Sequence, residues 1–113
     1  MIDSSSRKVL ILSATDCKDV ADQLFALGYY PSVRKDMQAA LDAIRHHRYR
    51  ALLFDLRHSK IDALEFILNV RDIDQQADII LINSSPKKSE QELLCKQDKV
   101  YLLSNLDSIQ HWQ

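Results

Sequence analysis

Asp55 ends the apolar run Ala51-Leu52-Leu53-Phe54, which puts a carboxylate at the carboxyl end of a buried strand, where binding and chemistry sit in sheets of alternating strands and helices. The plainer reading is that any buried strand must end on a polar residue and that loops are rich in Asp. Arg57 and His58 follow, and either would neutralise the carboxylate through a charge-assisted hydrogen bond, unless both are solvated loop residues and the pairing is worth little. Other chemistry is thinly represented. Cys17 and Cys95 lie far apart with no CxxC or Cys/His ligand spacing, so neither a zinc site nor a disulfide framework is predicted. His46 and His47 are adjacent, and on a helix they point in different directions, a poor metal pair. A single glycine excludes a dinucleotide fingerprint, and no phosphate loop, nucleophile elbow or HExxH is present. The basic run Arg45-His46-His47-Arg48-Tyr49-Arg50 reads as the exposed end of a helix, where cations complement the helix dipole, in preference to a nucleic-acid patch.

The elements that would position Asp55 follow from hydrophobic pattern. Residues 9–12, 51–54, 79–82 and 100–103 are apolar on consecutive positions, the signature of strands covered on both faces, as in a parallel sheet between helices. Residues 30–34 form a fifth, more polar run suited to a sheet edge. Between these runs the spacing turns helical. Val20, Leu24 and Leu27 with Ala21 form one stripe, ended by Gly28 as a left-handed C′ residue. Ala40, Leu41 and Ile44 with Met37 form a second behind Asp36 as N-cap, and Leu64, Ile67 and Leu68 a third behind Asp62. A fourth helix is predicted to open at Ser89, where Ser-Glu-Gln-Glu makes a capping box ahead of Leu93 and Leu94. Strands and helices thus alternate, with right-handed crossovers and helices on both faces, and Leu106 begins a short last helix. In such sheets, sites form at the carboxyl ends of strands, here Ser13, Ala14, Asp55, Asn83, Ser84, Ser104 and Asn105.

The segment Arg48-Tyr49-Arg50-Ala51-Leu52-Leu53-Phe54-Asp55-Leu56, followed by Ile61-Asp62-Ala63-Leu64-Glu65, resembles the centre of the receiver domain of two-component response regulators, the CheY-like family. Lys8-Val9-Leu10-Ile11-Leu12 is similar to that family's first strand, residues 78–84 to its fourth and Val100-Tyr101-Leu102-Leu103 to its fifth, so the likeness spans almost the whole chain. It implies a flavodoxin-like three-layer α/β sandwich around a five-stranded parallel sheet of order 2-1-3-4-5, with a short last helix. It puts Asp55 at the phospho-acceptor position and Tyr101 at the aromatic that changes rotamer on activation. Asn83, or Ser84 by a one-residue shift, falls at the switch hydroxyl.

The departures from that pattern are as informative. Ser13 and Ala14 stand where the family's acidic pair holds Mg²⁺, Ser104 where its lysine pairs with the phosphoryl group, Asn105 where a proline follows, and Ala63 where a glycine turns. Asp16 lies past the strand end and suits a helix cap better than a ligand. Mg²⁺ requires near-octahedral oxygen coordination and gives up water reluctantly, and phosphoryl transfer depends on positioned positive charge. The resemblance therefore implies a degenerate receiver with no catalytic residue and no metal ligand, Mg²⁺ entering only if Asp55 is a working phospho-acceptor.

At 113 residues, 46% hydrophobic and 27% charged, the sequence predicts a single folded domain over residues 7–113 after a disordered polar tail at residues 1–6. A formal net charge of −1 supplies no field for nucleic acid or an anionic membrane, and the first apolar run is too short for a signal or a span, so a cytoplasmic setting is expected. The functional expectation is a non-enzymatic, pseudo-receiver module of a two-component or phosphorelay pathway, non-catalytic or weakly phosphorylatable. It would act through protein contact with a histidine kinase or an effector domain, or as a homodimer. The expected surface is the fourth helix, fifth strand and tail, with Tyr101, Leu106, Ile109 and Trp112 supplying apolar area, although Trp112 serves equally as a core cover. Two rivals stand beside it: a genuine receiver phosphorylated on Asp55, and a small flavodoxin-like enzyme or cofactor binder, for which these strand ends offer no pair of base and nucleophile.

Overall fold

A run of consecutive apolar side chains is stable only where both faces of a strand are covered. The computed structural model, which describes residues 7–13, 18–55, 63–82 and 99–103, meets that condition at β1 (Lys8–Leu12), β3 (Ala51–Asp55) and β4 (Asp78–Ile82), each buried along nearly its whole length. The more polar β2 (Tyr30–Arg34) lies at one edge of the sheet and β5 (Val100–Leu103) at the other. Every neighbouring pair is parallel and the order is β2-β1-β3-β4-β5, the flavodoxin-like arrangement.

Register sorts the strand side chains into two layers. Leu10, Leu12, Leu52, Phe54, Ile79 and Leu81 face α2 (Met37–His46) and α3 (Ala63–Ile73), meeting Leu41 and Ile44 from the first and Phe66, Ile67 and Val70 from the second. Val9, Ile11, Ala51, Leu53, Ile80 and Ile82 form the opposite layer with Val20 and Leu24 of α1 (Lys18–Ala26). Each large apolar side chain so enclosed contributes about 1.5–3 kcal/mol, which is why the central strands tolerate no polar residue before their ends. Phe54 and Phe66 meet edge to face, with ring centroids 4.9 Å apart.

The helix boundaries carry the predicted chemistry. Asp36 caps α2, its Oδ1 accepting a hydrogen bond from the Ala39 N–H at 2.7 Å. Gly28 takes φ +94° just past α1, where its N–H donates to the Phe25 carbonyl and that of Tyr29 to Leu24. Two side chains depart from the predicted stripes. Leu27 lies beyond the last turn of α1 and is 37% exposed, while α3 turns Phe66 and Val70 inward and leaves Leu68 53% exposed. Ile67 is buried and Leu64 packs on the core as the predicted stripe requires, and Phe66, against Phe54, and Val70 complete the inward face in place of Leu68.

At the strands' amino ends, Arg50 Nη1 donates to Asp78 Oδ2 at 2.7 Å, tying β3 to β4. Lys99, in the left-handed region at φ 59°, accepts from the Ile79 N–H through its carbonyl and donates from Nζ to Gln76 Oε1 at 2.7 Å. The Asp62 cap, the helix from Ser89, the last helix from Leu106 and the tail at residues 1–6 lie outside the described residues. Among the described residues, no helix is long and apolar enough to cross a membrane.

Candidate functional site

Parallel order brings the carboxyl ends of β1 and β3 side by side at the middle of the sheet, where strand order reverses direction around β1. Asp55 is the last residue of β3. Ser13 follows β1 directly, its N–H donating to the Arg34 carbonyl at 3.0 Å, so β2 holds its backbone in line with the strand. Because Leu12 is the register partner of Phe54, Ser13 and Asp55 share the next position and the same face.

There the Ser13 hydroxyl donates to Asp55 Oδ2 over a long 3.4 Å. Both residues are closed to solvent, Ser13 at 1% exposure and Asp55 at 0%, and they are the two buried polar side chains among the described residues. A carboxylate taken out of water must be compensated, and the Ser13 hydroxyl is one donor that does so. The sequence places Ser13 with Asp55 among the strand ends and marks it as a lost acid, and the hydrogen bond between the two is what the structure adds. That contact depends on β1 and β3 being neighbours, a fact that becomes visible once the order 2-1-3 is applied to the strand ends.

Tyr101 lies on the same face of the sheet as Asp55, as the register from Leu53 to Ile80 to Tyr101 shows. It stands one strand beyond β4 and one pleat back from the carboxyl end, and is 43% exposed. Ala14, Asn83, Ser84, Ser104, Asn105, Leu106, Ile109 and Trp112 lie outside the described residues, as do Asp16, Arg57 and His58. Among the described residues, no three His, Cys, Asp or Glu side chains gather as a metal-ligand set.

No family model matches the sequence, and no curated protein matches it. Solved structures do. Chemotaxis protein CheY4 of Vibrio cholerae superposes with a TM-score of 0.78 at 17% identity, over 92% of each chain. A CheY-like response regulator receiver domain protein from Methanospirillum hungatei JF-1 matches with a TM-score of 0.76 at 14% identity, over 93% of this chain and 88% of the other. A response regulator from Burkholderia pseudomallei, solved with a phosphorylated aspartic acid, a calcium ion and citrate, matches with a TM-score of 0.76 at 18% identity, over 92% of this chain and 64% of the other. The class these likenesses define is one of fold: the chain has the flavodoxin-like architecture of CheY-like receiver domains.

Proposed function

We propose that this chain is a pseudo-receiver: a receiver-like module of two-component or phosphorelay signalling that works through protein contact and does not accept a phosphoryl group by the family's Mg²⁺-dependent route. One observation carries the reading. The group beside Asp55 at the end of β1 is the hydroxyl of Ser13, and a neutral hydroxyl supplies none of the negative charge that holds a divalent cation against a carboxylate. The sequence continues the same theme, with Ala14 next to it and Ser104 and Asn105 after β5 in place of a lysine and a proline. With serines at both the acid position after β1 and the lysine position after β5, charge developing on a transferring phosphoryl group lacks the counter-charge that a metal and an ammonium supply in the family, and that electrostatic term is most of the catalysis in phosphoryl transfer.

Its partners on this reading are a histidine kinase, an effector domain or a second copy of the chain, met without a covalent switch. Incubation with Mg²⁺ and a small phosphodonor such as acetyl phosphate, followed by intact mass measurement, tests it. The expected result is an unmodified mass under conditions that phosphorylate a working receiver to completion. A stoichiometric phosphoryl adduct, lost in Asp55→Asn, would establish the opposite: a receiver that phosphorylates itself with an unconventional set of ligands.

A further inference from the structure

The basic run at the end of α2 does not stand alone. The Arg50 N–H donates to the Lys8 carbonyl at 2.7 Å, which brings residues 48–50 against the start of β1, and Lys8 is the register partner of Tyr30. The His47 N–H closes the last turn of α2 on the Ala43 carbonyl, placing Arg45 and His46 on that turn at the same end of the domain. Arg7, Lys8, Arg45 and Arg48 therefore gather at one end of the domain, the end that also carries half-exposed Tyr30 as the register partner of Lys8. No carboxylate among the described residues pairs with any of these four cations, whereas nearby Arg50 is committed to Asp78 and Asp42 lies beside His46. His47 stands edge-on to Tyr49, and Tyr49 packs on the core, so the loop carrying Arg48 is anchored.

We infer that this corner, at the end of the sheet opposite Asp55, is a docking site for an acidic segment of a partner protein, recognised by Arg45 and Arg48 with Arg7, Lys8 and Tyr30. Guanidinium groups bind carboxylates in pairs of parallel hydrogen bonds, and an exposed tyrosine adds apolar area and a hydroxyl beside them. The overall charge decides between protein and nucleic acid. Since the whole chain is net −1, everything outside this corner is net acidic, so a long polyanion would be driven off the surrounding surface while a short acidic stretch stays within the patch. The proposal does not depend on whether Asp55 is phosphorylated.

The test uses the full chain and a fluorescein-labelled oligoglutamate peptide, followed by anisotropy and by ¹H–¹⁵N shifts, with a single-stranded oligonucleotide of equal charge as competitor. Binding is expected to weaken as salt rises, with shifts confined to residues 7–8, 30 and 45–50. Arg45→Glu/Arg48→Glu is expected to weaken binding by about tenfold or more, and Arg45→Gln/Arg48→Gln by less, since the first adds repulsion to the loss of attraction. Lys18→Glu, on the first turn of α1 at the opposite end, should leave it unchanged. Absent binding, shifts elsewhere, or tighter binding of the oligonucleotide than of the peptide would overturn the proposal. The two exposed double variants are checked for folding by their amide spectra.

Discussion

The hydroxyl of Ser13 is aimed at the carboxylate of Asp55 across the junction of β1 and β3, and the two side chains are shut off from solvent together. A buried carboxylate that loses a donor keeps its desolvation cost, so the loss exceeds the worth of an exposed hydrogen bond. Ser13→Ala is expected to lower unfolding free energy by about 1–3 kcal/mol, read from the urea midpoint at constant slope. An unchanged midpoint would show that the long 3.4 Å contact contributes nothing.

Returning acids to the end of β1 tests the same pocket from the other direction. Ser13→Asp, made together with Ala14→Asp, sets a like charge beside Asp55, which destabilises the fold in the absence of a cation. A metal that binds the folded state alone then restores stability by mass action. In thermal unfolding the double variant is expected to melt below the parent in chelator and to recover on adding Mg²⁺, with the parent insensitive to Mg²⁺ throughout. A parent whose melting temperature climbs with Mg²⁺ as steeply as the variant's would mean that Ser13 and Ala14 are no impediment to the metal.

The central strands were legible because their consecutive apolar residues suit burial on both faces, although the same pattern at residues 100–103 belongs to an edge strand with Tyr101 43% exposed, and the caps at Asp36 and Gly28 were legible because each is a local bargain between a side chain or φ angle and the nearest turn. Contacts between distant residues were not. Ser13 and Asp55 are 42 residues apart, and their pairing exists only after sheet order is known. Lys8, Tyr30 and the run ending in Arg50 become one surface only through the register of β1 with its two neighbours. Helix rotation was half legible. Val20 and Leu24 in α1 and Leu64 and Ile67 in α3 meet the core as their spacing requires, but Leu68 faces out while Phe66 and Val70 face in.

That last point is measurable. Phe66 is 1% exposed and packed edge-on against Phe54, whereas Leu68, two residues on, is 53% exposed. Truncating a buried aromatic leaves a cavity as well as losing transfer free energy, so Phe66→Ala is expected to cost about 3–5 kcal/mol. Leu68→Ala should stay within about 0.5 kcal/mol, the range of ordinary surface changes. Equal losses at the two positions, in parallel urea titrations, would return Leu68 to the buried face of α3.

Gly28 offers a test in which conformation is separated from packing. It holds φ +94°, and a Cβ added there would meet no heavy atom within 4 Å, so a larger residue is opposed by backbone preference and not by a clash. The left-handed region costs an ordinary L-residue about 1–2 kcal/mol, less for Asn, whose side chain tolerates it. Gly28→Ala is therefore expected to lower stability by about 1 kcal/mol, partly offset by its smaller unfolded-state entropy, and Gly28→Asn by about half as much. Urea midpoints for the three proteins would give the order Gly, Asn, Ala. An alanine variant as stable as the parent would mean that the chain leaves α1 by a different turn, and that the path from Leu24 into β2 does not need a left-handed residue.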